Sequence, residues 1–373
     1  MSTRIVWAGL AAALLAVSLP LPAAAQAGQC APAENTVAKP EPWAQRRLAA
    51  ERVWPMTKGA GPVAVVDTGV STAAPALAGA VTGGDGADCA GHGTFLAGLI
   101  AARPQPGTEF AGIAPGVGIS AFRVTDEPTK VDPRRLAAGI DDAVNSGARV
   151  VAVGVLNTVD VPELRAAVEH ARARDVVLIA PAAVRQAKQQ AFPASAEGVL
   201  AVAPVGPDGP TKATLGAQPM LGAPAEQLVG IGPAGPGHRL ASGPELAVAF
   251  VAGAAALVCG RYPELSARAV VDRLTSTADR PAGQVPNPMI GFGIVDPVAA
   301  VNTLDTGARV MAPPKEHLVV PLPPVEDTGP ARAALWFVAA LAGVGALAGT
   351  VSAVVVRGKR RAWRARPAGP PAG

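Results

Sequence analysis

The sequence predicts an α/β sandwich built on a central parallel sheet, followed by one carboxy-terminal transmembrane helix. Two observations carry the sandwich. Val-rich runs bounded by turn residues recur through the first 205 residues, and amphipathic helical patterns lie between several of them. Strands that are apolar on both faces belong in a parallel sheet covered by helices on each side. The third observation is an uncharged stretch of 24 residues, 333–356, followed at once by RGKRRAWRAR. As a helix it extends about 36 Å at ~1.5 Å per residue, enough to cross a bilayer, and the basic cluster after it favours the cytoplasmic side.

In chain order, Arg4 precedes the apolar run IVWAGLAAALLAV and the small-residue segment SLPLPAAAQA, which together read as a secretory signal peptide over 1–27. Residues 28–54 form a polar, Pro-containing amino-terminal extension with the amphipathic piece WAQRRLAAERVW. A domain over 55–305 holds the strand candidates PVAVVD, GISAFRV, ARVVAVGV, DVVLIA and VLAVAPV and the helix candidates DPRRLAAGIDDAVNSG and VPELRAAVEHARAR. Its later helices are ELAVAFVAGAAALVCGRY and SARAVVDRLTSTA. A Pro-rich linker over 306–332, the span at 333–356 and a basic tail over 357–373 complete the chain.

The composition suits this plan. Of 373 residues, 50% are hydrophobic but only 3% aromatic, so Val, Leu, Ile and Ala must fill the core. The net charge of +4 carries no nucleic-acid signal. Six positive charges lie in the tail and one in the leader, so the exported part has a net charge of −3. Cys30, Cys89 and Cys259 all fall in the exported part, where an oxidising compartment permits a disulfide. Cys30 with Cys89 is the expected pair, because Cys259 sits inside an apolar helical run, where a buried thiol is ordinary.

The chemistry begins at Asp67, which ends the apolar strand VAVVD, the usual place for functional groups in open parallel sheets. Aspartic-protease chemistry needs a second carboxylate of the same kind, and the other D-T-G, at 327–329, lies in the linker. Twenty-five residues after Asp67 comes His92, flanked by glycines just before the helical run of DCAGHGTFLAGLIAA.

A strand-end Asp followed by G-H-G-T at this spacing resembles the subtilisin family, and AGIAP at 111–115 matches that family's next motif. Together with PWAQRRLAAERVWPMTKGAGPVAVVDTGV, FVAGAAAL, GFGIVDPVAAVN, the leader, the linker and the anchor, the chain is similar to the mycosins, membrane-anchored subtilases of type VII secretion systems. The resemblance implies a three-layer α/β/α subtilase sandwich and maps Asp67 and His92 onto the acid and base of a catalytic triad. It departs from the family at two positions. Glu245 stands where the nucleophilic serine is expected, and about Ala183 stands where the oxyanion-stabilising asparagine is expected. The segment VVAVG at 150–154 replaces the family's substrate-edge strand.

A carboxylate cannot supply the alkoxide that attacks a peptide carbonyl, and in subtilisin loss of the serine alone costs about 2 × 10⁶ in kcat. The resemblance therefore implies a pseudoprotease acting as a membrane-anchored scaffold, with secretion-complex subunits and the lipid bilayer as partners and secreted proteins as possible ligands. An active endopeptidase using Ser242, or a peptide-binding module without hydrolysis, are the other readings. For Glu245 two roles are open: an S-x-x-E capping box with Ser242, or contact with His92 that stabilises the imidazolium. No cofactor is expected, and without ligand spacing no metal is expected either.

Overall fold

The computed structural model describes residues 30–303 and 329–360. It forms two units, divided at Leu304 and Asp305. The predicted leader, most of the linker and the end of the basic tail lie outside the described residues.

The first unit is organised by a sheet of eight strands. Seven are parallel, in the order β10 (Leu221–Pro224), β7 (Leu200–Gly206), β5 (Val177–Pro181), β4 (Val150–Val153), β1 (Pro62–Asp67), β3 (Gly118–Arg123) and β2 (Val81–Thr82). The short β8 (Gly209–Pro210) pairs antiparallel with β7, so the sheet is mixed at this point, where a tight turn folds the strand back. Two small ribbons lie outside it: β6 (Ala183–Val184) with β9 (Thr214–Leu215), and β11 (Leu228–Ile231) with β12 (His238–Ala241).

Alternation along each strand divides the core in two. Val63, Val65, Val150, Ala152, Val177 and Ile179 face one side, with α2 (His92–Ala101), α5 (Ala247–Arg261), α6 (Ala267–Ser276) and α7 (Pro297–Asn302). Ala64, Val66, Val151, Val153, Leu178 and Ala180 face the other, with α3 (Pro133–Asn145) and α4 (Pro162–Ala173). Successive strand side chains point to opposite faces, which is why uninterrupted Val and Ala runs serve both layers. Helices α3 and α4 are amphipathic, and Asp132 caps α3 by accepting the Arg134 and Arg135 N–H groups. Helix α5 is buried nearly throughout, so its apolar sequence marks the centre of the core and not a membrane span.

The extension is part of this body. Its amphipathic piece forms α1 (Trp43–Leu48) and a 3₁₀ turn, Ala50–Val53, broken at Ala49, whose φ of 48° lies in the left-handed region. Ala44, Leu48, Ala50 and Val53 enter the first core cluster. Upstream, the Glu34 N–H donates to Ala234 O, the Gly237 N–H to Glu34 O and the His238 N–H to Thr36 O, stitching the extension to the β11–β12 turn. Cys30 and Cys89 form a disulfide across 59 residues, and Cys259 is buried and free.

The second unit is α8 (Gly329–Arg360), 32 residues long. Its apolar part, Ala334–Arg360, is a candidate membrane span with outward-facing side chains such as Leu335, Trp336 and Leu341. Arg357, Lys359 and Arg360 occupy its last turn.

Candidate functional site

The site forms where three elements meet: the carboxy end of β1, the amino end of α2 and the turn before α5. Asp67 is fully buried at the end of β1, and its Oδ1 accepts the Thr68 N–H at 2.6 Å. His92 is the first residue of α2, with Gly91 before it at φ 70°, a left-handed conformation that glycine adopts without steric cost. The imidazole Nδ1 lies 2.8 Å from Asp67 Oδ1 and 3.0 Å from Oδ2. Its Nε2 lies 3.3 Å from Glu245 Oε1. The ring is thus held between two carboxylates on opposite edges, with side-chain exposure of only 15% for His92 and 14% for Glu245.

This arrangement selects the protonation state. A neutral imidazole has one N–H donor, so one carboxylate would face a lone pair, whereas the imidazolium donates to both. Burial by itself lowers the pKa of His92, but the charges and hydrogen bonds of Asp67 and then Glu245 outweigh it and push the value up to about 10. Burial holds the Asp67 carboxyl above its ordinary range, against the lowering effect of the adjacent imidazolium.

Two glycines make room for the carboxylates. A Cβ at Gly154, just past β4, would lie 1.9 Å from Asp67 Oδ2, and one at Gly243 would lie 2.2 Å from Glu245 Oε1. The segment at 150–154, which stands in place of the family's substrate-edge strand, forms the central strand β4, buried on both faces, and its following glycine accommodates Asp67.

Of the two roles open for Glu245, the capping box with Ser242 does not form. Gly243 is extended, Pro244–Leu246 form a separate 3₁₀ turn, and α5 begins only at Ala247, so the S-x-x-E register misses the helix start. The Ser242 hydroxyl instead accepts the Gln227 N–H at 2.9 Å. Ala183 is buried in β6, paired with Leu215, and its methyl side chain offers no donor.

One residue was not singled out in the sequence. Asp88, buried four residues before His92, accepts the Thr68 hydroxyl, the Gly91 N–H, and both the N–H and hydroxyl of Thr94. It satisfies donors left orphaned at the start of α2 and ties them to the end of β1. Its signal was a carboxylate in the glycine-rich turn next to Cys89. Among the described residues, no three His, Cys, Asp or Glu side chains converge so as to hold a metal ion.

A buried Asp at a parallel strand end, hydrogen-bonded to a His that opens the next helix, is the arrangement around which one protease family is built. Residues 60–293 match the model of the subtilase family. The chain belongs to the subtilases. Among curated subtilases it is similar to mycosin-1 of Mycolicibacterium smegmatis, 30% identical over 378 aligned positions that cover 82% of this chain and 84% of that protein. The crystal structure of MycP1 from Mycobacterium smegmatis superposes with a TM-score of 0.65 at 27% identity, covering 75% of this subtilase and 90% of that chain. A chain of the intact ESX-5 inner membrane complex gives a TM-score of 0.66 at 29% identity, covering 87% and 94%. The mycosin branch is where this subtilase falls.

Proposed function

We propose that this mycosin is a component of a type VII secretion system that has kept the subtilase body as a membrane-anchored scaffold and does not hydrolyse peptides. The observation that carries this reading is the 3.3 Å approach of Glu245 Oε1 to His92 Nε2. In a serine protease that nitrogen takes the proton of the nucleophilic hydroxyl, so it must be neutral and must face an alcohol. Here it faces a carboxylate, and with a pKa of about 10 the imidazolium exceeds the neutral ring by about a thousandfold at pH 7.

On this reading Asp67 and His92 are the retained acid and base positions, Glu245 occupies the serine position and Ala183 the oxyanion-asparagine position. Ser242 offers no substitute nucleophile, because Glu245 is the group that faces His92 Nε2 and the Ser242 hydroxyl is turned to the Gln227 N–H. The scaffold role draws support from two similar structures, one described as an essential component of the ESX-1 type VII system and one found within the ESX-5 inner membrane complex. The leader over 1–27 directs export, the domain over 55–305 with its extension faces away from the cytoplasm, the helix at 333–356 crosses the bilayer, and the tail at 357–373 returns to the cytoplasm. Partners are the subunits of the secretion complex and the lipid around the helix, with secreted proteins as passing ligands.

The test combines two measurements on the full chain. Purified protein is expected to show no cleavage of a fluorogenic peptide and no labelling by a fluorophosphonate, while deletion of its gene is expected to reduce assembled membrane complex on a native gel and the His92→Ala variant to restore it. Peptide cleavage that stops in His92→Ala would overturn the proposal.

A further inference from the structure

A cavity of about 320 Å³ opens between α1 and the loop that joins α2 to β3, and Asp67, His92 and Glu245 take no part in it. Its apolar wall includes the buried Phe110 and Ile113, with Trp54, whose indole N–H donates to Ile113 O at 3.0 Å. Three carboxylates, Glu41, Glu51 and Glu109, also line it. None of the three pairs with a cation among the described residues. Glu41 feels their crowding: burial first, then Glu51 and Glu109, hold its carboxyl above the ordinary range, although Arg46 opposes them.

Gln45 supplies an independent sign of a missing partner. It lines the same cavity at 7% exposure, and its Nε2 donates to Ala111 O at 3.4 Å. Its Oε1 is buried without a hydrogen-bond partner among the described residues. A donor that reaches this oxygen from the cavity would make a bond that the described residues leave unmade.

We infer that this cavity receives an arginine side chain presented by a partner protein. The acidic residues call for positive charge, and the apolar wall calls for an aliphatic stem behind it, the combination that arginine carries. A guanidinium has five N–H donors, enough to engage Gln45 Oε1 and carboxylates together. A bare metal ion fits less well, because the glutamates do not converge on one point. The inference does not depend on the state of the His92 centre.

Isothermal titration of the full chain in detergent with the peptide N-acetyl-Gly-Arg-Gly-amide tests it. Saturable binding is expected, weakened at least tenfold when citrulline replaces arginine, and weakened at least tenfold in a Glu51→Gln, Glu109→Gln double variant. Both glutamates are exposed, so the double variant keeps its fold. Glu245→Ala is expected to bind as wild type, which separates this site from the old catalytic cleft. No saturable heat, equal binding of the citrulline peptide or of the double variant, or loss of binding in Glu245→Ala would each overturn the inference.

Discussion

The carboxylate of Asp67 occupies the space that any side chain at position 154 would need: a Cβ on Gly154 would stand 1.9 Å from Oδ2. The buried acid therefore fits only because the residue just past the neighbouring strand β4 has no side chain. Gly154→Ala is expected to push Asp67 away from His92, to destabilise the protein by about 1–3 kcal/mol through overpacking, and to lower the His92 pKa. Urea unfolding and NMR titration of the imidazole measure the two effects.

The raised pKa of His92 makes stability depend on pH in an alkaline window. The folded value is about 10 and the ordinary value 6.5, so the contribution is complete below 6.5 and is lost as pH rises through 10. Within that window one proton gives a slope of up to about 1.4 kcal/mol per pH unit. The difference in unfolding free energy between wild type and His92→Gln, followed from pH 6 to 10.5, is expected to shrink with rising pH.

Glu245 provides the second of the two charges on the ring. Glu245→Gln keeps its size and removes that charge, so the His92 pKa is expected to fall while remaining above 6.5 through Asp67. Gly243→Ala is expected to lower it as well, because the added methyl would collide with Glu245 Oε1. A His92 signal that titrates identically in wild type and Glu245→Gln would show that the contact carries no charge interaction.

Asp88 joins the start of α2 to the end of β1 through four accepted hydrogen bonds. Asp88→Ala would orphan buried donors in both elements and is expected to cost about 2–4 kcal/mol, with hydrogen exchange accelerated first in the opening turn of α2.

The Cys30–Cys89 bridge closes a loop of 59 residues that ends three residues before His92. Replacing both cysteines with serine is expected to cost about 2–4 kcal/mol and to expose the extension to limited proteolysis ahead of the strands.

The sequence by itself determined the layered fold, the apolar carboxy-terminal helix and the two motifs that carry Asp67 and His92. Val-rich strands alternating with amphipathic helices have few other ways to bury both faces, and Asp67 and His92 stand in short motifs whose spacing is local. Even the pairing of Cys30 with Cys89 was legible, because Cys259 belonged to an apolar helix. The ribbons β6–β9 and β11–β12 were not legible: both are only two to four residues long, and β6 finds its partner about 30 residues away. Tertiary structure alone decided the role of Glu245. Ser-Gly-Pro-Glu reads locally as a helix cap, but an extended Gly243 and a separate 3₁₀ turn shift the helix start and leave the carboxylate against an imidazole 153 residues away. Local spacing specifies which groups a chain carries, and only packing brings together groups remote in sequence and so sets the charge each one holds.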